Sequence, residues 1–413
     1  MAPCGLGLGH ITRSDPIARE LTKRGVEVVF STYGDGIDYA RKMKLRLMET
    51  VPIYIWVKQD GTVDFKSIAT RSGLSLGVRT FLRQVLAEIR NIKRFKPDLV
   101  FSDSRASTLV AARLLGVPTI LMLNQYRVNM IRKPSSTSLS ISDHIFFLIA
   151  NLAWIFFRTL LQGLWSLSDI ILIPDFPPPY TVSLGNLAIP KRHIRKVRLV
   201  GPVVKTKPSQ ISYTLDKIRR RLGLVDSKPL VYVAVSGPQI ERRYLAHILE
   251  DSITNYTLDC QVVMSKGEPS GSEEAERRGN ILAFDWLQER SQYEVLKACD
   301  LVVSRAGHGI IMKAMTFGKP MILIPIPDHT EQYGNAKRAV LLGFAKILDQ
   351  DKVNPDNLME IMNQVLESEE LRETAGQISG FSERLDTVND ITRLILSQIR
   401  QEVRTTLSTV IGD

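Results

Sequence analysis

At 413 residues the chain has room for two or three domains of about 150 residues each. With 44% hydrophobic and 23% charged residues, it is neither a disordered chain, a fibrous repeat nor a polytopic membrane protein. The net charge of +11 is uneven: residues 1–200 carry 28 Lys+Arg against 14 Asp+Glu, the rest 26 against 29, so an anionic partner is expected for the first half only.

The chain opens on a glycine-rich turn, Gly5-Leu6-Gly7-Leu8-Gly9-His10, with a helix expected to begin near Ser14-Asp15-Pro16. Alternate glycines let backbone approach a ligand, and a helix start offers unpaired N–H groups to an anion. Only Met1-Ala2-Pro3-Cys4 precede the turn, so the first strand is expected to be a stub or, preferably, to be missing residues at its start. His10 on such a turn is either a proton acceptor at the mouth of a sheet or a turn-capping residue.

Apolar runs then alternate with helical stretches. Val26–Thr32, Leu99–Ser102, Thr119–Leu123 and Ile170–Ile173 are predicted strands in the first half. Pro16–Arg24, Val78–Phe95 and Ala106–Leu115 are predicted helices between them. Val231–Ser236, Gln261–Ser265, Asn280–Phe284, Leu301–Ser304 and Met321–Pro325 repeat the strand pattern. Strands without polar alternation, separated by helices, form parallel sheets covered on both faces. The fold class is therefore α/β with two doubly wound domains. The expected division is 1–203, a polar linker 204–228 (with a short helix over Tyr213–Leu222), 229–390, and a C-terminal helix within 391–413.

Ile145–Trp165 is the most apolar segment; its 21 residues would extend about 31 Å as a helix, near a bilayer's core thickness. A spanning helix would place Thr119–Leu123 and Ile170–Ile173 on opposite sides of the membrane, so no shared sheet could form. Asn151, Arg158, Gln162 and Ser166 make one narrow polar stripe. Such a helix lies in a membrane interface or packs against the protein. The flanking cations Arg127, Arg132, Lys133, Lys191, Arg192, Arg195, Lys196 and Arg198 suit anionic headgroups. Cys4, Cys260 and Cys299 are too few and scattered for a disulfide framework or zinc site, and no leader-like segment opens the chain, so a cytoplasmic location on the inner membrane face is expected. Positive charge without aromatic stacking residues argues against nucleic acid.

The second half carries Ser304-Arg305-Ala306-Gly307-His308-Gly309, then Phe317-Gly318-Lys319-Pro320, then Pro327-Asp328-His329-Thr330-Glu331-Gln332. Small residues open a helix N-terminus toward a diphosphate, and the later polar loop suits sugar hydroxyls. This order resembles GT-B glycosyltransferases, especially family 28, which includes bacterial N-acetylglucosaminyltransferases acting on a lipid-linked precursor and their archaeal relatives. Pro97-Asp98-Leu99-Val100, Leu115-Gly116-Val117-Pro118 and Leu199-Val200-Gly201-Pro202-Val203 extend the resemblance through the first half.

The resemblance implies a metal-independent, inverting transferase without a cofactor. Its donor would be a nucleoside diphosphate sugar, best UDP-N-acetylglucosamine, and its acceptor a polyprenyl-phosphate-type lipid. His10 would be base or electrostatic partner, and Asp103 its orienter, a base itself, or a helix cap. Gly7, Gly9, Asn124 and Arg127 would line the acceptor side. Ser236, Gly237, Ser304, Ala306, Gly307 and His308 would meet the donor phosphates, Phe284 and Trp286 the base, and Asp328, Glu331 and Gln332 the sugar. Lys313 stands where the family carries a ribose-gripping glutamate; an ammonium only donates, so uridine recognition cannot take its usual form. Two other functions fit the same features: a sugar-nucleotide 2-epimerase, and a non-catalytic subunit that docks a partner transferase through Ile145–Trp165.

Overall fold

A computed structural model describes residues 1–53, 73–127, 155–225, 227–254, 259–327 and 329–411. The first half forms a parallel sheet from β1 (Ala2–Pro3), β4 (Val100–Asp103), β5 (Thr119–Met122), β6 (Ile170–Ile173) and β7 (Val197–Leu199), in the order β1-β4-β5-β6-β7. A second pair, β2 (Phe30–Thr32) and β3 (Leu47–Glu49), lies beside β1, where the Ser31 N–H donates to Met1 O. The first strand is thus two residues long within the described chain.

The second half forms a seven-stranded sheet. β8 (Leu230–Ala234), β9 (Gln261–Ser265), β11 (Ile281–Phe284), β12 (Leu301–Ser304), β13 (Met321–Leu323) and β14 (Ala345–Ile347) are parallel. β10 (Glu276–Arg278) adds an antiparallel edge, giving β10-β11-β9-β8-β12-β13-β14. Strands such as Leu230–Ala234 are wholly buried because helices cover both faces, which removes any polar alternation. In each sheet the strand order reverses beside the first strand, at β1/β4 and at β8/β12. Ligands of doubly wound sheets bind at the carboxyl ends of the strands flanking that point.

Three boundaries differ from expectation. The first helix spans Gly9–Lys23, five residues ahead of the expected start, with Pro16 inside it. Its first two turns are secured by tertiary bonds from His10, Arg13 and Ser14 to Asp103, which outweigh the proline's missing donor. The stretch 204–228 is not a free linker: Ile218 and Leu224 are buried in the second domain's core, with Ile211 and Tyr213 packed beside them. The C-terminal helix Thr387–Ile411 packs Ile391 and Ile395 against Ile17, Leu21 and Phe101 of the first domain. The chain therefore crosses between domains near Pro202 and again before Thr387, and a cavity of about 760 Å³ lies between the crossings.

A further tie comes from the loop after β6. Phe176 and Val182 are buried in the second domain's core, and Asn186 Nδ2 donates to Asn335 Oδ1 at 3.0 Å. Arg338 Nε and Nη2 donate to the carbonyls of Thr181 and Pro179. This strap holds the two sheets with their carboxyl ends facing each other.

Candidate active site in the interdomain cleft

The loops after β1 and β8 meet across the cleft. Gly5 has no room for a side chain, since a Cβ there would collide with Tyr33 O. Gly7 has φ +69°, and its own added Cβ would lie 3.3 Å from the Gly237 carbonyl carbon. The Gly7 N–H donates to Asp35 Oδ2 at 3.1 Å. Arg242 Nη1 donates to Gly237 O at 2.9 Å and lies 3.4 Å from Asp35 Oδ1, so one guanidinium pins both loops. Gly9 is exposed, with open space where its Cβ would stand.

His10 sits in the first turn of the Gly9–Lys23 helix, with its Nδ1 2.8 Å from Asp103 Oδ1 at the end of β4. Burial opposes charge on Asp103, but Arg13 and His10 overcome it and hold the carboxyl at about 2. Arg13 Nη2, which can only donate, also lies 3.2 Å from Nδ1, but the Asp103 oxygen is nearer and can only accept, which favours the proton on Nδ1 and leaves Nε2 to accept. Arg13 Nε donates to Asp103 Oδ2 at 2.6 Å, and its Nη2 pairs with Oδ1. Asp103 is fully buried, whereas His10 keeps 25% of its side chain exposed. Asp103 thus meets His10 Nδ1 with one oxygen and Arg13 with both.

Asn124, after β5, is buried with both ends of its amide engaged. Oδ1 accepts from Arg13 Nη1 at 3.0 Å, and Nδ2 donates to Glu331 Oε1 at 2.7 Å, across the cleft. One lone pair of Oδ1 and one hydrogen of Nδ2 are thus taken, and Asn124 is buried, whereas Arg127, three residues on, is exposed.

On the donor side, the Ser236 hydroxyl lies 3.9 Å from where a Gly307 Cβ would stand, so the loop after β8 adjoins the start of the His308–Thr316 helix. His308 itself is buried: its Nε2 lies 3.3 Å from Asp175 Oδ2 of the strap, a close charge contact without hydrogen-bond geometry. Burial opposes charge on Asp175, yet His308 and Ser183 hold its carboxyl below the usual range. Ser304 and Ala306 are also buried and support the loop. The Ser304 hydroxyl donates to Ala234 O, and Ala306 O accepts from Asn335 Nδ2. Gln332 Oε1 accepts from Ile326 N at 3.0 Å, bracing the loop after β13. Asp328 lies outside the described residues.

At the far end, Phe284 is buried in the core, and Trp286 packs edge-on against Tyr39 of the first domain at 6.1 Å. Lys42 lies 5.9 Å from the Trp286 ring and pairs with Glu273 at 2.8 Å. Lys313 Nζ donates to Gln292 Oε1 at 2.5 Å, and Gln292 Nε2 donates to Tyr232 OH. Burial lowers the Lys313 pKa. The cation is tied to its own domain's wall.

Arg13, Asp35, Asp175 and Arg242 were not singled out in the sequence. Arg13 had one legible signal, its place one helical turn after His10. The others also touch residues far away in sequence: Asp35 meets Gly7 and Arg242, and Asp175 meets His308.

Residues 250–388 match the Glycosyltransferase family 28 C-terminal domain, and residues 3–150 match Glycosyl transferase family 1. An uncharacterized glycosyltransferase of Methanosarcina mazei is 27% identical over 407 residues, covering 97% of this chain and 98% of its own. A Clostridium botulinum UDP-N-acetylglucosamine--N-acetylmuramyl-(pentapeptide) pyrophosphoryl-undecaprenol N-acetylglucosamine transferase is 22% identical over 375 residues, 87% of this chain and 88% of its own. Among solved structures, the calicheamicin glycosyltransferase CalG4 superposes with a TM-score of 0.61 at 16% identity, over 96% of this chain and 97% of that one.

Proposed function

This chain is a glycosyltransferase of the GT-B fold with a family 28 C-terminal domain, and we propose that it inverts configuration while moving a sugar from a nucleoside diphosphate to a lipid-linked hydroxyl. His10 Nε2 takes the proton of the acceptor hydroxyl as that oxygen attacks the anomeric carbon. The bond to the diphosphate breaks on the opposite side, and the departing charge meets the N–H groups opening the His308–Thr316 helix. Asp103 steadies the imidazolium that forms. The carrying observation is the His10 Nδ1 contact to Asp103, which leaves Nε2 as the acceptor at the β1/β4 switch point, next to the turn whose Gly7 lies against Gly237 of the loop after β8.

N-acetylglucosamine is the preferred sugar, supported by the name of the Clostridium relative. Uridine is the preferred base, held without the usual carboxylate because of Lys313. Lys313→Glu is expected to tighten uridine diphosphate binding in calorimetry; unchanged affinity would place the ribose elsewhere.

The membrane side is supported by an inverted helix. Residues 155–165 are helical, and Phe156 and Leu160 face outward, 74% and 51% exposed. Gln162, from the polar stripe, instead turns inward and donates to Tyr126 O. The neighbouring helix Gly73–Phe95 exposes Val78, Leu82 and Leu86 along one face, bordered by Arg79, Arg83 and Arg90. Its Phe81 packs against the same buried cluster as Leu161, Leu164 and Trp165, so the two helices share one support. Apolar faces rimmed by cations suit an anionic bilayer surface. Residues 145–154 of the apolar segment lie outside the described residues, and no described helix is long and apolar enough to cross a membrane. Phe156→Glu/Leu160→Glu is expected to abolish co-sedimentation with phosphatidylglycerol vesicles; binding equal to wild type would remove this face from the membrane contact.

The overall function is tested by incubating the pure protein with labelled sugar nucleotides and a membrane lipid extract. Label passing into the organic phase from UDP-N-acetylglucosamine is expected. Release of a free epimerised sugar nucleotide, or no transfer by the single chain, would count against it.

A further inference from the structure

One hydrogen-bonded chain runs from the second domain to the candidate base. Glu331 Oε1 accepts from Asn124 Nδ2 at 2.7 Å, Asn124 Oδ1 accepts from Arg13 Nη1 at 3.0 Å, Arg13 Nε donates to Asp103 Oδ2 at 2.6 Å, and Asp103 Oδ1 meets His10 Nδ1 at 2.8 Å. Four of these groups belong to the first domain; Glu331 opens the Thr330–Leu341 helix of the second. Within this chain of bonds, the Asn124–Glu331 link is the one that crosses the cleft.

We propose that Asn124 is a positioning residue that transmits cleft closure at Glu331 to the alignment of His10. This deepens the function above and rests on its assignment of His10 as base and Glu331 as sugar ligand. The chemistry of the position supports it. A guanidinium faces one end of the side chain and a carboxylate the other, and a terminal amide both accepts and donates. An aspartate there would satisfy Arg13 and repel Glu331, and an apolar residue would leave the buried Arg13 and the half-buried Glu331 each short of a partner. Asn124 is only 6% exposed, so water does not substitute for either bond. With one lone pair of Oε1 taken by Asn124, the rest of the carboxylate remains for sugar hydroxyls, so donor and Asn124 would share one carboxylate. When the cleft opens, Asn124 loses its partner on Nδ2, so the amide that anchors Arg13 Nη1 is itself less firmly fixed, and Arg13 in turn aligns Asp103 less tightly against His10. Chains of buried hydrogen bonds reinforce one another, so removal of the first link is felt at the last.

The test reads His10 directly in the free protein. Ring-¹⁵N histidine is incorporated, and long-range proton–nitrogen spectra are recorded at about pH 8.5, where imidazoles are neutral. His10→Gln assigns the signals. The wild type is expected to show a single Nδ1–H tautomer. Asn124→Ala and Glu331→Ala are expected to draw the two nitrogen signals together as the tautomers mix. Glu331→Gln, whose carbonyl still accepts from Asn124, is expected to keep the wild-type pattern. His10 signals unchanged in Glu331→Ala, or displaced equally by Glu331→Gln, would overturn the proposal. Near-ultraviolet circular dichroism checks that each variant is folded, and Glu331→Ala, at a partly exposed site, keeps the test decisive if Asn124→Ala is not. No donor is present, so a negative result here is distinct from a failure to transfer sugar.

Discussion

Replacing His10 by Ala is expected to lower sugar transfer by about 10²-fold or more, the usual scale for loss of a general base. The effect should fall on kcat, with donor affinity nearly unchanged, because His10 lies on the first domain while the donor phosphates are assigned to the loops after β8 and β12. His10→Gln separates size from proton transfer: glutamine can hold the hydroxyl in place but cannot take its proton. Initial rates across donor concentrations decide the matter. Full activity in either variant removes His10 from the mechanism.

The largest stability effect is expected at Arg105, which follows the end of β4, where its carbonyl accepts from the Ser102 hydroxyl. Its guanidinium is buried, with Nη2 2.5 Å from Glu88 Oε1 and Nη1 donating to Ser31 O at 2.6 Å. Burial opposes charge on Glu88, but Arg105 and then Ser31 hold its carboxyl below the ordinary range. Arg105→Ala leaves a buried carboxylate without its cation, a change that costs about 3–5 kcal/mol. Arg105→Leu/Glu88→Leu, which removes both charges, should recover most of that loss. The sign with pH follows from the lowered pKa. The pair's contribution is complete above the unfolded-state value of about 4.3 and is lost as pH falls through the lower folded-state value. Urea unfolding of the three proteins at neutral pH and at about pH 4 measures both effects. Arg105→Ala within 1 kcal/mol of wild type would contradict the account.

The sequence made the strands legible wherever burial on both faces produced an unbroken apolar run. Ile170–Ile173, Gln261–Ser265 and Leu301–Ser304 are the observed strands residue for residue. The two glycine turns and His10 were legible because tight backbone approach restricts residue choice so strongly. The start of the first helix was not, since local chemistry favours Pro16 near a helix start, whereas contacts with Asp103, about 90 positions away, hold the earlier turn. The same distance hid Arg13 and Asn124 as partners of the His10–Asp103 pair. Asp175 was hidden in another way: nothing local distinguishes a loop acid that caps its own turn from one that also meets His308 of the other domain. The polar stripe of the apolar helix was visible, but its direction was not. Gln162 faces Tyr126, and the greasy side is left outward, the reverse of an ordinary surface helix.

The anomeric configuration of the product tests the central mechanism most directly. With an α-linked nucleoside diphosphate sugar as donor, proton removal by His10 and a single in-line displacement give a β-linked product, identifiable from its anomeric proton coupling. An α-linked product would require two displacements or attack from the leaving-group side, and would contradict the assignment of His10 as base for direct attack.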